Sequence, residues 1–240
     1  MIWDIINLPW LERAPKDFRK RCSDIAEGGA SVDEKIVRLA STALDTSQLS
    51  ILSDLIVKCQ AEKKSTFLVP FRLAILGSST TCAFVPSLIG AAARHGILLS
   101  TIQGSYDQFV QEAIDPKSTI NMSKPDAVLF ALDARALNLD TFEADAETAE
   151  QNITRAIRTL SIMRQGIREG CGSPIIFQSL GYLPLSLFGS LDAMVEGTIR
   201  KKIYRVNEAL RSFAEEPGDK LFDLESLASL IGFDRWHDPV

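Results

Sequence analysis

The sequence has only two histidines and four cysteines, and none of its apolar runs is long. Two histidines exclude a histidine-rich metal site. Scattered cysteines without a Cys-x-x-Cys pair are typical of buried thiols in a reducing compartment. No apolar run reaches the roughly 18 residues that a transmembrane helix needs. The acidic start of the chain does not resemble a signal peptide, so we expect a cytoplasmic protein.

Basic residues are also in deficit, with 26 lysines and arginines against 31 acidic residues and a net charge of −5. This balance argues against general binding to nucleic acid or to anionic membranes. The 240 residues, 46% of them hydrophobic, are enough for one large domain or for one domain with an appendage. No set of metal ligands is evident, and no cofactor is expected in this chain.

The first 70 residues have a helical pattern. Ser31 and Glu34 fit a capping box, and a second helix is predicted over residues 46–63. We therefore expect residues 1–70 to form a helical N-terminal appendage and residues 71–240 to form an α/β domain.

From residue 71 onward, short apolar runs alternate with helical patterns. Another capping box, Ser105 to Gln108, opens a short helix, and long helices are predicted over residues 144–169 and 191–214. Strands are predicted over residues 73–76, 97–102, 127–132, 173–178 and 220–223. Short connections between such elements favour a three-layer α/β/α fold with a five-stranded parallel sheet in the flavodoxin-like order 2-1-3-4-5.

A Gly-Ser-Ser-Thr-Thr turn follows the first of these strands, at residues 77–81, and a helix is predicted over residues 81–95. In open α/β sheets, strand-to-helix turns face the crevice where ligands bind. Ser78, Ser79 and Thr80 all suit the N-cap of the following helix. A serine in such a turn is either an N-cap or a nucleophile, and position alone favours the N-cap.

The strand ends carry a set of residues that resembles the active site of the SGNH hydrolase superfamily. That resemblance implies that Ser79 is the nucleophile and that Gly104 is an oxyanion donor. It also implies that Asp234 and His237, in a late Asp-x-x-His motif, form the base and its orienting carboxylate.

Two positions depart from the SGNH pattern. Ser78 stands where that superfamily has an aspartate. Asp133 and Arg135 stand where its asparagine would complete the oxyanion hole.

Four longer blocks resemble the N-terminal region of FkbH-like proteins: residues 77–81, 106–116, 125–135 and 234–239. Members of that family join an SGNH-like domain to a C-terminal HAD-superfamily phosphatase-type domain that uses magnesium. They place a glyceryl unit on a carrier-protein thiol in polyketide-type pathways. The HAD signature Asp-x-Asp-x-Thr is absent from this sequence, so the resemblance implies that the phosphatase domain and its Mg²⁺ lie beyond residue 240.

The predicted helix over residues 191–214 carries basic side chains on the face opposite its apolar stripe: Arg200, Lys201, Lys202, Arg205 and Arg211. This face is either a solvated surface or a docking site for an acidic acyl carrier protein, with Arg200, Lys201 and Arg205 as the contacts.

Three functions stay open: an acyl-transfer module that acts on a small acyl substrate, a non-catalytic carrier-docking module, and a free-standing esterase. Retention of Ser79 and of the Asp-x-x-His motif favours the first, whereas loss of the asparagine favours the second.

Overall fold

The computed structural model describes residues 8–29, 31–62, 68–105, 107–182 and 186–232. The elements of the first half are β1 (Glu12–Arg13), α1 (Phe18–Glu27), α2 (Val32–Ala40), β2 (Thr42–Ala43), α3 (Thr46–Ala61), β3 (Val69–Gly77), α4 (Val85–Ala93) and β4 (Ile97–Gln103). Those of the second half are α5 (Phe109–Ile114), α6 (Thr119–Ser123), β5 (Ala127–Ala131), α7 (Ala146–Gly170), β6 (Ile175–Gln178), a 3₁₀ helix (Gly189–Ala193), α8 (Ile199–Glu215), β7 (Lys220–Phe222) and α9 (Leu224–Ile231).

Five parallel strands form the main sheet in the order β4-β3-β5-β6-β7. Leu73 of β3 pairs with Ala127 of β5, and Gln178 of β6 pairs with Phe222 of β7. Counted along the chain from β3, this is the order 2-1-3-4-5, so the predicted fold class is confirmed. The direction of strand addition reverses between β3 and β5, where open α/β sheets place their ligand crevice.

The central strands of the sheet are apolar on both faces, and their side chains form the hydrophobic core. Val128 and Phe130 of β5 and Phe177 of β6 are almost completely buried, and the two phenylalanine rings meet edge to face at 5.5 Å. Helix α7 adds an apolar stripe at helical spacing, which is buried at Ala149, Ile153, Leu160, Met163 and Ile167. The spacing of apolar residues along α7 therefore predicts its buried face.

The chain divides into two compact units, residues 1–72 with 81–101 and residues 73–80 with 102–240. In the first unit, α4 packs closely on α3, since a Cβ added to Gly90 would lie 3.0 Å from Leu49. Arg94 donates from Nε to the carbonyl of Ala40 at 2.8 Å. The boundary proposed between residues 70 and 71 stays a prediction.

Both predicted capping boxes are wrong. Ser31 does precede α2, but its φ of 59° is left-handed and its side chain makes no capping hydrogen bond. Helix α5 begins only at Phe109, and the hydroxyl of Ser105 donates instead to Glu112 at 2.8 Å. A capping box does form before α3, with a glutamine at the third helical position, where capping boxes have Glu or Gln. That box joins Asp45 to Gln48.

The prediction of a single helix over residues 191–214 is also wrong. Helix α8 begins only at Ile199, with Thr198 as its N-cap, and a separate 3₁₀ helix precedes it. The Thr198 hydroxyl accepts from the backbone N–H of Lys201 at 3.2 Å and donates to the carbonyl of Val195 at 2.9 Å. As a result, Leu191 lies 53% exposed in the preceding 3₁₀ helix rather than facing inward. Within the described residues, no helix has the length and apolar character needed to cross a membrane.

Candidate functional site

The candidate site begins where β3 and β5 end side by side. The backbone N–H of Ser78 donates to the carbonyl of Ala131 at 3.4 Å and so continues the pairing of the two strands. The Ser78 hydroxyl oxygen then accepts from the backbone N–H of Asp133 at 3.3 Å. Ser78 thus ties the turn after β3 to the loop after β5, at the edge where the strand order reverses.

Ser79 is exposed in this turn, and it does not cap the next helix. Helix α4 begins at Val85, and its N-cap position is occupied by Phe84, which makes no side-chain capping bond. The carbonyl of Thr81 accepts from the N–H groups of both Phe84 and Val85 at 3.2 Å, so a separate turn precedes the helix. The predicted N-cap role of residues 78–80 is therefore wrong.

The turn after β3 presents polar groups that have no hydrogen-bond partner within the part of the chain that the structure describes. Among the described residues, none accepts from or donates to the Ser79 hydroxyl, and none accepts from the N–H groups of Ser79 and Thr80. A hydroxyl beside two unengaged amides can bind an oxyanion or carry an acyl group, provided that a base removes the hydroxyl proton.

Gly104 follows β4 and lies against β3. Its N–H donates to the carbonyl of Ile75 at 3.0 Å, and a Cβ at this position would lie 2.9 Å from Cδ2 of Leu76. The nearest atom is the tip of the flexible Leu76 side chain, so a larger residue here would require that side chain to shift. Because the amide is already engaged in the sheet, an oxyanion would have to displace Ile75 before Gly104 could serve as its donor.

Glu112 on α5 is a buried carboxylate beside the site that the sequence analysis did not single out. One carboxylate oxygen accepts from the hydroxyl of Ser105 at 2.8 Å and from its N–H at 3.3 Å. The side chain is only 8% exposed, and its other oxygen has no partner among the described residues. Glu112 lies three residues after the buried Phe109 and shares its helical face, but no sequence pattern indicates that a glutamate here is buried or that it contacts Ser105.

Asp133 and Arg135 follow β5 and differ in how they are held. A carboxylate oxygen of Asp133 accepts from the backbone N–H of Ala136 at 2.8 Å, which stabilises the turn after the strand. The Arg135 side chain is 86% exposed, and its Nε lies 3.7 Å from the carboxylate of Asp140. Arg135 is therefore accessible to a ligand, whereas Asp133 has a structural contact.

Asp234 and His237 lie outside the described residues, so their roles as base and orienting carboxylate stay predictions. No group of three or more histidine, cysteine, aspartate or glutamate side chains gathers as a metal site in the described part of the chain.

The basic face of α8 is largely neutralised by acidic neighbours. Lys201 lies 3.5 Å from Glu196, and Arg205 forms an ion pair with Glu150 at 3.1 Å and lies 3.7 Å from Glu196. The guanidinium of Arg200 instead lies over the ring of Tyr182, with 5.4 Å between its central carbon and the ring centroid. Among the three predicted docking residues, only Arg200 has no carboxylate within ion-pair distance among the described residues.

Lys202 does not lie on that solvated face, although the helical spacing placed it there. Its side chain is fully buried, and Nζ donates to the carbonyl of Thr141 at 2.5 Å. Burial lowers the pKa of Lys202, and the carboxylate of Glu143, 3.9 Å away, opposes this shift. Lys202 therefore anchors the loop between β5 and α7.

These features define an open parallel α/β domain with a polar strand–turn site where the strand order reverses. The FkbH N-terminal domain family matches residues 72–240, and the chain belongs to this family. No curated protein matches the chain significantly.

A structural relative has the same fold. It is the N-terminal part of the protein BF1531 from Bacteroides fragilis, a crystal structure that contains a phosphatase domain complexed with Mg. The TM-score is 0.62 at 14% sequence identity, and the match covers 86% of this chain and 48% of that one. The chain thus spans about half the length of this relative, and the likeness concerns the fold alone.

Proposed function

We propose that this domain works in an FkbH-like protein to transfer a glyceryl-type acyl unit to a carrier-protein thiol, with Ser79 as the nucleophile. One observation carries the proposal: the Ser79 hydroxyl is exposed at the reversal of strand order, caps no helix and has no hydrogen-bond partner among the described residues. A serine with only a structural role would be expected to use its hydroxyl locally.

The chemistry has two balanced steps. Ser79 Oγ bonds to the carbonyl carbon of the acyl donor while the donor's leaving group departs, and a base passes the serine proton to that group. The base then takes the proton of the carrier thiol, the sulfur attacks the ester carbonyl carbon, and the bond to Ser79 Oγ breaks as the base passes that proton to Oγ. His237 is the base that the SGNH-like pattern implies, and the amides of Ser79 and Thr80 are the oxyanion donors that we propose.

A serine-reactive fluorophosphonate tests whether Ser79 is activated. We expect intact-mass and peptide mass spectrometry to find one adduct on Ser79, lost in Ser79→Ala and retained in Ser78→Ala. Ser78 is the matched control because it lies in the same turn but already accepts a bond from Asp133. Labelling that persists in Ser79→Ala, or that is absent from the unaltered chain, contradicts activation of this serine.

The second candidate function is docking of the acyl carrier protein, and it is favoured by Arg200, which forms no ion pair among the described residues although the charge of Asp192 acts on it at longer range. A cavity of about 700 Å³ lies beside this residue and is lined by Tyr182, Lys201, Tyr204 and Glu225, among others. Because no carboxylate of the described residues lies within ion-pair distance of the Arg200 guanidinium, it is available for an acidic carrier, and complementary charge increases the association rate.

Charge reversal separates this docking site from a general basic surface. We expect Arg200→Glu to slow carrier association and to flatten its dependence on salt, whereas Arg205→Glu has a smaller effect because Glu150 and Glu196 already surround Arg205. Equal association rates for Arg200→Glu and the unaltered chain, measured by stopped flow, would exclude docking at this position.

We further propose that a phosphatase-type domain works with this one and supplies the Mg²⁺-dependent chemistry. Support comes from the family match and from the phosphatase domain in the longer structural relative. Coexpression of this chain with a separate HAD-type domain, followed by size-exclusion chromatography, tests for their association.

A further inference from the structure

A basic cavity lies in the helical first unit, outside the part that the FkbH family matches. Its volume is about 640 Å³, which is within the range of roughly 300–1,000 Å³ that small-molecule sites occupy. Residues 12–42 supply its whole lining, from β1, α1, α2 and β2. Three separate elements contribute charged side chains, so the cavity is not the end of a single helix.

The charge of this lining is opposite in sign to that of the chain. Four basic side chains line the cavity with the acidic Glu12 and Asp24, which gives a local net charge of +2 in a protein of net charge −5. The four are Arg13, Arg21, Lys35 and Arg38.

Three of these four cations form no ion pair within the described ranges. Arg21 forms an ion pair with Asp17 one helical turn away, at 2.9 Å. Among the described residues, no carboxylate lies within ion-pair distance of Arg13, Lys35 or Arg38. Like charges gathered around one cavity repel each other, and a bound anion removes that repulsion.

The cavity also has an apolar side, and hydrogen bonds hold part of its backbone lining in place. Ile25 and Leu39 line it, and each is only 5% exposed. The backbone beside Thr42 is held by Arg94, which donates to the carbonyls of Ala40 and Thr42 at 2.8 and 3.3 Å. A ligand for this cavity would therefore combine an anionic group with an apolar organic part.

We propose that the cavity binds a phosphate ester of a small organic molecule. Arg13, Lys35 and Arg38 bind the phosphate, and the organic part packs against Ile25 and Leu39. The planar donors of arginine match phosphate oxygens in pairs, and lysine adds a compact charge.

Phenyl phosphate and inorganic phosphate are suitable probes, titrated into the whole chain by isothermal calorimetry at low salt. We expect saturable binding of both, with phenyl phosphate binding at least several-fold more tightly because its ring contacts the apolar side. The double variant Lys35→Gln/Arg38→Gln should weaken phenyl phosphate binding by about tenfold, and circular dichroism should show an unchanged melting temperature, since both side chains are exposed.

The matched control is Lys16→Gln/Arg19→Gln, which removes the same charge from residues that do not line the cavity. We expect it to change the affinity by less than twofold. If both double variants weaken phenyl phosphate binding equally, the binding reflects general surface charge, and the proposed site is wrong. Equal affinities for the two probes, or no saturable binding of phenyl phosphate, would also overturn it.

Discussion

The hydroxyl oxygen of Ser78 accepts a hydrogen bond from the backbone N–H of Asp133, with 3.3 Å between the two atoms. This bond joins the turn after β3 to the loop after β5 across the point where the strand order reverses. It separates the two neighbouring serines by role, because Ser78 is a structural contact and Ser79 is left exposed beside it.

Ser78→Ala should therefore cost stability, whereas Ser79→Ala should not. Without the Ser78 hydroxyl, the N–H of Asp133 can donate only to water, because the site is partly exposed. We therefore expect the free energy of unfolding to fall by about 0.5–1.5 kcal/mol. Ser79→Ala should stay within about 0.5 kcal/mol of the unaltered chain. Urea denaturation followed by circular dichroism measures both, and equal losses would contradict the division of roles.

Gly166 on α7 allows close contact with α5. A Cβ at this position would lie 2.5 Å from the carbonyl oxygen of Ala113 and 2.8 Å from Cα of Ile114. Gly166→Ala gains about 1 kcal/mol in helix propensity, but displacing backbone in a packed interface costs about 1–3 kcal/mol. We expect net destabilisation by thermal unfolding. Ser161→Ala, at an exposed position of the same helix, is the control and should be neutral or slightly stabilising.

The ion pairs between α7 and the end of α8 predict a pH dependence of stability. The hydrogen bond from Arg164 lowers the pKa of Glu216 below its usual 4.5, and the two side chains meet at 2.6 Å. A carboxyl group with a lowered folded-state pKa contributes stability above its unfolded pKa and loses that contribution as pH falls through the folded value.

The difference in unfolding free energy between the unaltered chain and Glu216→Gln should therefore be largest near neutral pH and should shrink below about pH 4.5. Urea denaturation at several pH values between about 3 and 7 measures it. Glu215→Gln, which removes the same charge at the neighbouring exposed position, is the matched control. A difference that grows toward acid pH would contradict this account of the pair.

The fold could be predicted from the sequence because its strands are short apolar runs bounded by polar turns. Runs such as residues 127–131 bury both faces, so their composition indicates a parallel sheet without further information. Helix ends were harder to predict. Ser31 has a suitable residue type but a left-handed backbone, and Thr198 interrupts an apolar spacing that otherwise continues.

The candidate site was predictable only in part. Convergence of the strand ends placed Ser78, Ser79 and Asp133 at one edge, as parallel topology requires. Sequence could not show that Ser78 contacts Asp133, nor that Lys201 pairs with Glu196 just before α8 and Arg205 with Glu150 on α7. Helical spacing also placed Lys202 in solvent, although its position beside Thr141 depends on a loop some sixty residues earlier.

Acyl transfer by the Ser79→Ala variant tests the central claim most directly. The assay supplies the acyl donor and the acyl carrier protein, with the phosphatase-type domain present, and follows the mass of the acylated carrier over time. We expect Ser79→Ala to lose transfer by at least about a hundredfold with unchanged unfolding, while Ser78→Ala retains most of it. Transfer by Ser79→Ala at the rate of the unaltered chain would contradict the nucleophilic role of Ser79.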